Sequence, residues 1–300
     1  MIELVGLTKR YRSRTAVDDL TVTVEPGRVT GFLGPNGSGK TTTMRCVLGL
    51  TRPTAGTARV LGVPYAELPV PMRAVGALVD PRARHPGRTA YAHLLALAQS
   101  NHLPRSRVEE VVELVGLESV ADQRVRGFSL GMGQRLGIAV ALLGDPEVLL
   151  FDEPVNGLDP DGIRWVRGLL RDLAAEGRTV LVSSHLMSEM QDTADHLVVL
   201  GRGRLLADLP MAELLGADAV VRVRTPAPAA LAGALHRAGA QVAADADGTL
   251  QVRGLDLAQV GDVAFAAGVR LHELTRVATS LEAAYHALTG ADVEYRTGER

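Results

Sequence analysis

The stretch Gly34-Pro35-Asn36-Gly37-Ser38-Gly39-Lys40-Thr41-Thr42 limits the possible folds of this chain more than any other feature. It satisfies the pattern G-x-x-x-x-G-K-[ST], follows the apolar run 29–33 and precedes a helical pattern that starts at residue 40. Glycines allow main-chain N–H groups to converge on phosphate oxygens, and the positive end of the following helix faces the same anion. A strand, this loop and a helix in that order predict an α/β domain that binds a nucleotide through its phosphates.

Lys9 and Lys40 are the only lysines among 32 basic residues, the others all being arginine. A compact ammonium differs from a planar guanidinium, so a lysine kept in such a chain indicates a position that needs a point charge. In the phosphate-loop pattern this lysine reaches the β- and γ-phosphates, and the hydroxyl of the next residue binds Mg²⁺. We therefore predict that Lys40 takes part in catalysis and that Thr41 is a metal ligand.

Two acidic residues, Asp152 and Glu153, follow the apolar run 148–151. A buried strand that ends in Asp delivers a carboxylate to nucleotide-bound Mg²⁺, which predicts that Asp152 joins Thr41 at the metal. Glu153 is then the candidate that positions or deprotonates the water attacking the γ-phosphate. An adjacent Asp-Glu pair favours hydrolysis by water over transfer to another acceptor.

His185 directly follows the predicted strand 179–184. An imidazole at the end of a strand can bond to the γ-phosphate or to the attacking water, so His185 is a third catalytic candidate. A lone histidine at such a position is more often a surface or capping residue. Only the neighbouring phosphate loop and acidic pair favour the catalytic interpretation.

The order of β-rich and helical stretches predicts an ATP-binding α/β domain over residues 1–216 and a small α+β domain over 217–300. Strands are predicted at 20–24, 29–33, 75–79, 148–151, 180–183 and 197–200. Residues 85–143 contain three helical patterns, which indicates a helical subdomain. After residue 219 the order is strand, helix, strand, strand, helix, strand, with a last helix at 280–288; this order is typical of a ferredoxin-like arrangement.

Together with the stretch 128–135, these motifs resemble the ATP-binding subunit of ABC transporters. Ser129, Gly131, Gln134 and Arg135 match that family's signature, whereas Phe128, Leu130 and Met132 depart from it. The resemblance implies a P-loop NTPase core with a RecA-like mixed sheet, an antiparallel β subdomain, and ATP and Mg²⁺ as ligands. It also implies that Ser129 and Gly131 bind the γ-phosphate of ATP held by the opposite subunit of a head-to-tail dimer. Without the resemblance, Ser129 is simply a helix N-cap.

Three further residues take their roles from the resemblance. Tyr11 lies where the family has an aromatic residue that stacks on adenine. Asp159 is the key acid of a loop that joins the two nucleotide sites. Asp80 stands near the place of a glutamine that links Mg²⁺ to the membrane partner, and a carboxylate there only accepts hydrogen bonds. The other interpretation of Asp80 is a solvated turn residue before Pro81.

In its departures from the signature, the chain resembles bacterial ATPases of the daunorubicin- and bacitracin-exporter type. That likeness implies a cytoplasmic protein, peripheral on the inner face of the cell membrane, that pairs with a transmembrane permease and with itself or a homologous ATPase. The alternative is a soluble ABC-type ATPase acting on ribosomes or nucleic acid. A single phosphate loop, the lack of sustained heptads and a net charge of −2 favour the transporter, so no nucleic-acid partner is expected. Cys46, the only cysteine, excludes a disulfide framework.

Overall fold

The computed structural model describes residues 1–12, 14–80, 83–216, 220–277, 281–282 and 285. Its described residues form two compact units, one from Met1–Leu209 and the other from Pro210–Leu288. The predicted boundary is at 216/217, after the short helix that the structure assigns to the second unit. Among the described residues, no helix is both long enough and apolar enough to cross a membrane.

Two sheets and their covering helices make up the first unit. Its strands are β1 (Ile2–Tyr11), β2 (Arg14–Val24), β3 (Val29–Leu33), β4 (Ala55–Val60), β5 (Val75–Leu78), β6 (Val148–Asp152), β7 (Thr179–Ser184), β8 (His196–Gly201) and β9 (Arg204–Pro210). Its helices are α1 (Lys40–Val47), α2 (Pro71–Ala74), α3 (Ala90–Ser100), α4 (Arg105–Leu114), α5 (Leu130–Leu142), α6 (Pro160–Ala175) and α7 (Met187–Thr193).

The larger sheet has the strand order β5-β6-β7-β3-β8-β9, and the pairs β5–β6, β6–β7, β7–β3 and β3–β8 are parallel. Strands β3, β7 and β8 are buried along their whole length, as expected for parallel strands covered on both faces. The carboxyl ends of parallel strands meet at one edge of a sheet. The phosphate loop after β3 and the residues that end β6 and β7 are therefore brought together at that edge.

A smaller antiparallel sheet has the strand order β2-β1-β4. Strands β1 and β4 were not predicted, and β2 begins well before the predicted strand 20–24. The pairing of β1 contains register shifts between Leu4 and Leu7 and again around Lys9, so its apolar residues do not alternate regularly. Strand β4 is mostly exposed, so its sequence does not show the alternation of apolar and polar residues that indicates a half-buried strand.

Residues 85–143, all of which the structure describes, contain the three predicted helices α3, α4 and α5. The α3 helix begins at an N-cap, Thr89, whose side chain accepts a hydrogen bond from the N–H of Ala92. The α6 helix has the predicted bounds because its buried residues, including Val166, Leu169 and Leu170, recur at helical spacing.

The second unit contains α8 (Met211–Gly216), β10 (Val220–Arg224), α9 (Pro228–Arg237), β11 (Gln241–Ala244), β12 (Leu250–Arg253), α10 (Leu257–Ala266) and β13 (Glu273–Val277). Its sheet has the order β11-β12-β10-β13 with antiparallel neighbours, which is the ferredoxin-like topology that the sequence predicted. The last strand lies a few residues beyond its predicted place at 270–274. The predicted helix 280–288 lies largely outside the described residues.

Candidate active site

The phosphate loop joins the buried strand β3 to α1, as predicted. Gly37 and Gly39 have φ angles of 82° and 109°, a region that favours glycine. A Cβ atom at Gly34 would lie 2.5 Å from the main-chain oxygen of Leu200, so a larger residue would force the loop away from β8. The glycines of the motif are therefore required by the path of the main chain.

The N-terminus of α1 is open to an anion. Its N-cap residue, Gly39, provides no side-chain hydrogen bond to the first turn of the helix. Within the described part of the chain, the buried hydroxyl of Ser38 also has no hydrogen-bond partner. Free N–H groups and an unpartnered hydroxyl beside a glycine loop fit a phosphate group.

The ammonium of Lys40 lies inside the loop, with the residue only 6% exposed. Its Nζ donates hydrogen bonds to the main-chain oxygens of Gly34 (2.6 Å) and Pro35 (3.3 Å). Burial lowers the pKa of Lys40 below its ordinary value, and the carboxylates of Glu153 and Asp152 oppose that shift. A phosphate placed beside this ammonium favours its charged form in the same way.

Thr41 and Asp152 are in direct contact, as expected for two ligands of one metal ion. The Thr41 hydroxyl donates a hydrogen bond of 2.5 Å to Oδ2 of Asp152, and the Ser183 hydroxyl donates to Oδ1. Asp152 and Ser183 are paired across the parallel strands β6 and β7. Hydroxyl and carboxylate oxygens are the ligands that Mg²⁺ prefers, so Thr41 and Asp152 fit that ion. Sequence reasoning missed Ser183 because its pairing with Asp152 depends on strand register.

Glu153 adopts a left-handed main-chain conformation, with φ of 53°. For a residue other than glycine this conformation costs roughly 1–3 kcal/mol and persists only where the surroundings hold it. The N–H of Glu153 donates to the main-chain oxygen (3.2 Å) and to the Oγ (3.1 Å) of Ser183. Its main-chain oxygen accepts a hydrogen bond of 3.0 Å from Nε2 of Gln134. These contacts hold the predicted base at the end of β6.

The two predicted catalytic side chains at this edge of the sheet contact each other. Nδ1 of His185 lies 2.8 Å from Oε2 of Glu153. Because a carboxylate only accepts hydrogen bonds, the hydrogen atom of this contact is on the imidazole nitrogen. This contact allows His185 to orient the Glu153 carboxylate. The phosphate or water contact that the sequence indicated for His185 stays a prediction.

A cleft of about 470 Å³ opens over the phosphate loop. It is lined by Tyr11, Arg14, Ala16, Asn36, Gly37, Ser38, Gly39, Lys40, Thr41, Thr42, Val79, Asp152, Glu153 and Asn156. Tyr11 is 46% exposed, and Nζ of Lys9 lies 4.9 Å from the centroid of its ring. A half-exposed ring at the mouth of the cleft agrees with a stacking role. Arg14 was not predicted, and no local motif marks it.

Besides Gly34 and His185, whose positions are given above, four predicted residues do not line this cleft. Ser129 and Asp159 are N-caps of α5 and α6, accepting hydrogen bonds from the N–H groups of Met132 (3.2 Å) and Gly162 (2.8 Å). Gly131 lies close to the loop before α6, where a Cβ atom would be 3.2 Å from the oxygen of Gly157. Asp80 lines an adjacent cavity together with Arg45, Arg84 and His93. The roles of these four residues in nucleotide binding stay predictions.

Comparison with known proteins identifies the family. Residues 17–156 match the ABC transporter family. Over 209 residues the chain is 43% identical to the uncharacterized ABC transporter ATP-binding protein YhcH of Bacillus subtilis, covering 69% of this chain and 68% of that protein. The chain belongs to the ATP-binding proteins of ABC transporters. This membership confirms the predicted family and the predicted ATPase activity.

Two further similarities agree with this assignment. Over 217 residues the ATPase is 42% identical to the bacitracin transport ATP-binding protein BcrA of Bacillus licheniformis, covering 71% of each chain. Its structure resembles a solved ATP-binding subunit of an ABC transporter, with a TM-score of 0.66, 26% identity, and coverage of 72% of this chain and 92% of that one. Residues 219–282 match a domain of unknown function, DUF8746.

Proposed function

We propose that this ATPase powers the export of antibiotic-like or drug-like molecules through a separate membrane permease. The likeness to a bacitracin transport protein supports this class of substrate. In this proposal the ATPase is cytoplasmic and peripheral, bound to the permease at the inner face of the membrane. The alternative, an ATPase that acts on ribosomes or nucleic acid, gains no support from the relatives described above.

The observation that carries the hydrolytic function is the group Lys40, Asp152, Glu153 and His185 around one phosphate loop. The loop amides and Lys40 bind the phosphates of ATP. Thr41 and Asp152 would hold Mg²⁺, which when bound would supply positive charge to the phosphate oxygens.

Glu153 is the residue that acts on water. Its carboxylate orients a water molecule toward the γ-phosphate and accepts a proton from it, while His185 keeps the carboxylate in place through the 2.8 Å contact. Lys40 stabilises the negative charge of the phosphoryl group during transfer. The left-handed main-chain conformation of Glu153 fixes the position from which its side chain extends.

The active form in this proposal is a head-to-tail dimer with itself or with a homologous ATPase. Ser129 and Gly131 lie outside the cleft of their own chain, which supports a role in the site of the opposite subunit. Residues at the N-terminus of α5 then bind the γ-phosphate across the interface, and Asp159 lies in the loop between the two sites. ATP stabilises the closed pair, hydrolysis reopens it, and the permease responds to that cycle.

Copurification tests this proposal. A tagged copy is isolated from detergent-solubilised native membranes, and the proteins present in stoichiometric amount are identified. We expect to find a multispanning membrane protein. Cells that lack both this ATPase and that membrane protein should accumulate the exported substrate. Copurification with ribosomal subunits or DNA, or with no other protein, would contradict the transporter proposal while leaving the ATPase activity intact. A Lys40→Ala copy should still bind the permease, which separates docking from hydrolysis.

A further inference from the structure

Arg14 lies at the mouth of the cleft but has no role in the machinery described above. It begins β2 and is the cross-strand partner of Tyr11, the last residue of β1. Its side chain extends over the phosphate loop, since its Nη2 is 3.1 Å from the position that a Cβ atom on Gly37 would occupy. The guanidinium is therefore next to the main chain that binds phosphate.

The Arg14 side chain has no hydrogen bond or ion pair with any residue that the structure describes. Several other arginines of the first unit are held by acidic side chains: Arg178 contacts Asp145 at 2.8 Å, and Arg107 contacts Glu110 at 2.8 Å. Lys40, the other cation of the cleft, is held by two main-chain oxygens. Arg14 is thus a cation at a ligand cleft whose donors are all available.

Arg14 also balances the charged side chains that line the cleft. Its lining contains two cations, Lys40 and Arg14, and two carboxylates, Asp152 and Glu153, so their formal charges cancel. Without Arg14 these side chains would have a net negative formal charge, before the Mg²⁺ that accompanies ATP is counted. A guanidinium is suited to this task because its planar set of donors bonds to two phosphate oxygens at once.

We propose that Arg14 binds the phosphate chain of ATP, as a second cation supplied by the β1–β2 hairpin rather than by the phosphate loop. This inference rests on the nucleotide site of the proposed function. The contact holds the nucleotide before and after hydrolysis, so it contributes to affinity rather than to the chemical step. It also ties the nucleotide phosphates to the hairpin that carries Tyr11.

Arg14→Ala and Arg14→Lys in the full-length protein test the proposal, with Mg·ATP, Mg·ADP and adenosine as the probes. We expect Arg14→Ala to raise KM for Mg·ATP about tenfold, as for the loss of one charge-assisted hydrogen bond, with kcat within about twofold of the parent. Arg14→Lys keeps the charge without the planar fork and should give an intermediate KM. The inhibition constant of Mg·ADP should rise with KM, whereas that of adenosine, which has no phosphate, should stay unchanged.

Arg12→Ala is the matched control, because Arg12 is an exposed arginine of the same hairpin that does not line the cleft. Its KM should equal that of the parent. An unchanged KM in Arg14→Ala, an equal rise in Arg12→Ala, or an equal weakening of adenosine would each overturn the phosphate contact. None of those results would affect the ATPase assignment, which fails only if Lys40→Ala hydrolyses ATP normally.

Discussion

Gln134 donates a hydrogen bond of 3.0 Å from its Nε2 to the main-chain oxygen of Glu153. Gln134 is on α5 and only 1% exposed, and Glu153 ends β6 in a left-handed conformation. The α5 helix, whose N-cap is Ser129, is thereby joined to the residue that we propose acts on water. A movement of α5 relative to the sheet must either carry Glu153 with it or break this contact.

Removal of this contact should slow hydrolysis without weakening nucleotide binding. In Gln134→Leu the oxygen of Glu153 loses a buried donor, and the strained main chain loses one of the contacts that hold it. We expect kcat to fall about tenfold while KM for ATP stays close to that of the parent, as for the loss of a positioning contact of about 1.4 kcal/mol. Steady-state ATPase assays measure both constants. Gln99→Leu, an exposed substitution on α3, is the control and should leave kcat unchanged.

Glu153→Gln should separate ATP binding from hydrolysis. The amide keeps the size of the side chain but cannot accept a proton from water, so turnover should fall by about 10²–10⁴-fold. Bound ATP should then persist and the variant should accumulate as a closed dimer, which size-exclusion chromatography with and without Mg·ATP detects. Turnover at the parental rate would remove Glu153 from its proposed role.

Lys40→Ala should abolish ATP binding or hydrolysis, because the loop loses its buried cation. Lys40→Arg tests whether charge alone is enough. The site holds a compact ammonium between the oxygens of Gly34 and Pro35, and a guanidinium is too broad for it. We therefore expect no recovery of activity in Lys40→Arg, measured as phosphate release by folded protein. Recovery to near the parental rate would show that the position requires only a positive charge.

Acid should destabilise the first unit partly through His93, which is 7% exposed and whose Nδ1 has no partner within the described part of the chain. Burial lowers the pKa of His93 below its ordinary value of 6.5, and Arg88, His85 and Arg84 lower it further. Below pH 6.5 His93 therefore binds a proton in the unfolded state that it does not bind in the folded state. The free energy of unfolding is unaffected by His93 above pH 6.5 and decreases as the pH falls below that value.

Urea unfolding at a series of pH values measures this effect. For one proton the free energy of unfolding decreases by at most about 1.4 kcal/mol per pH unit. His93→Gln should flatten the dependence below pH 6.5, whereas His102→Asn, an exposed position, should leave it unchanged. An identical acid slope in the parent and in His93→Gln would exclude this histidine as a source of the pH dependence.

Local pattern was sufficient to predict the parts of the site that are contiguous in the chain. The phosphate loop needs glycine at positions 37 and 39 because of their φ angles, and the sequence motif itself shows glycine at both positions. The apolar run before Asp152 and the helical periodicity of α6 are equally local signals. The order of strands and helices in residues 220–277 could also be predicted, because each element has its own hydrophobic periodicity and is bounded by turn residues.

Contacts between distant segments were decided by the tertiary structure alone. The pairing of Ser183 with Asp152 depends on the register of β6 and β7, and the Gln134–Glu153 bond depends on how α5 packs. Strands β1 and β4 were missed because bulges and exposure erase their alternation. The early part of β2, which begins at Arg14, was not predicted either. A sequence specifies residues and their local conformations, but the distance between two side chains follows only from the packing of whole elements, which no short pattern records.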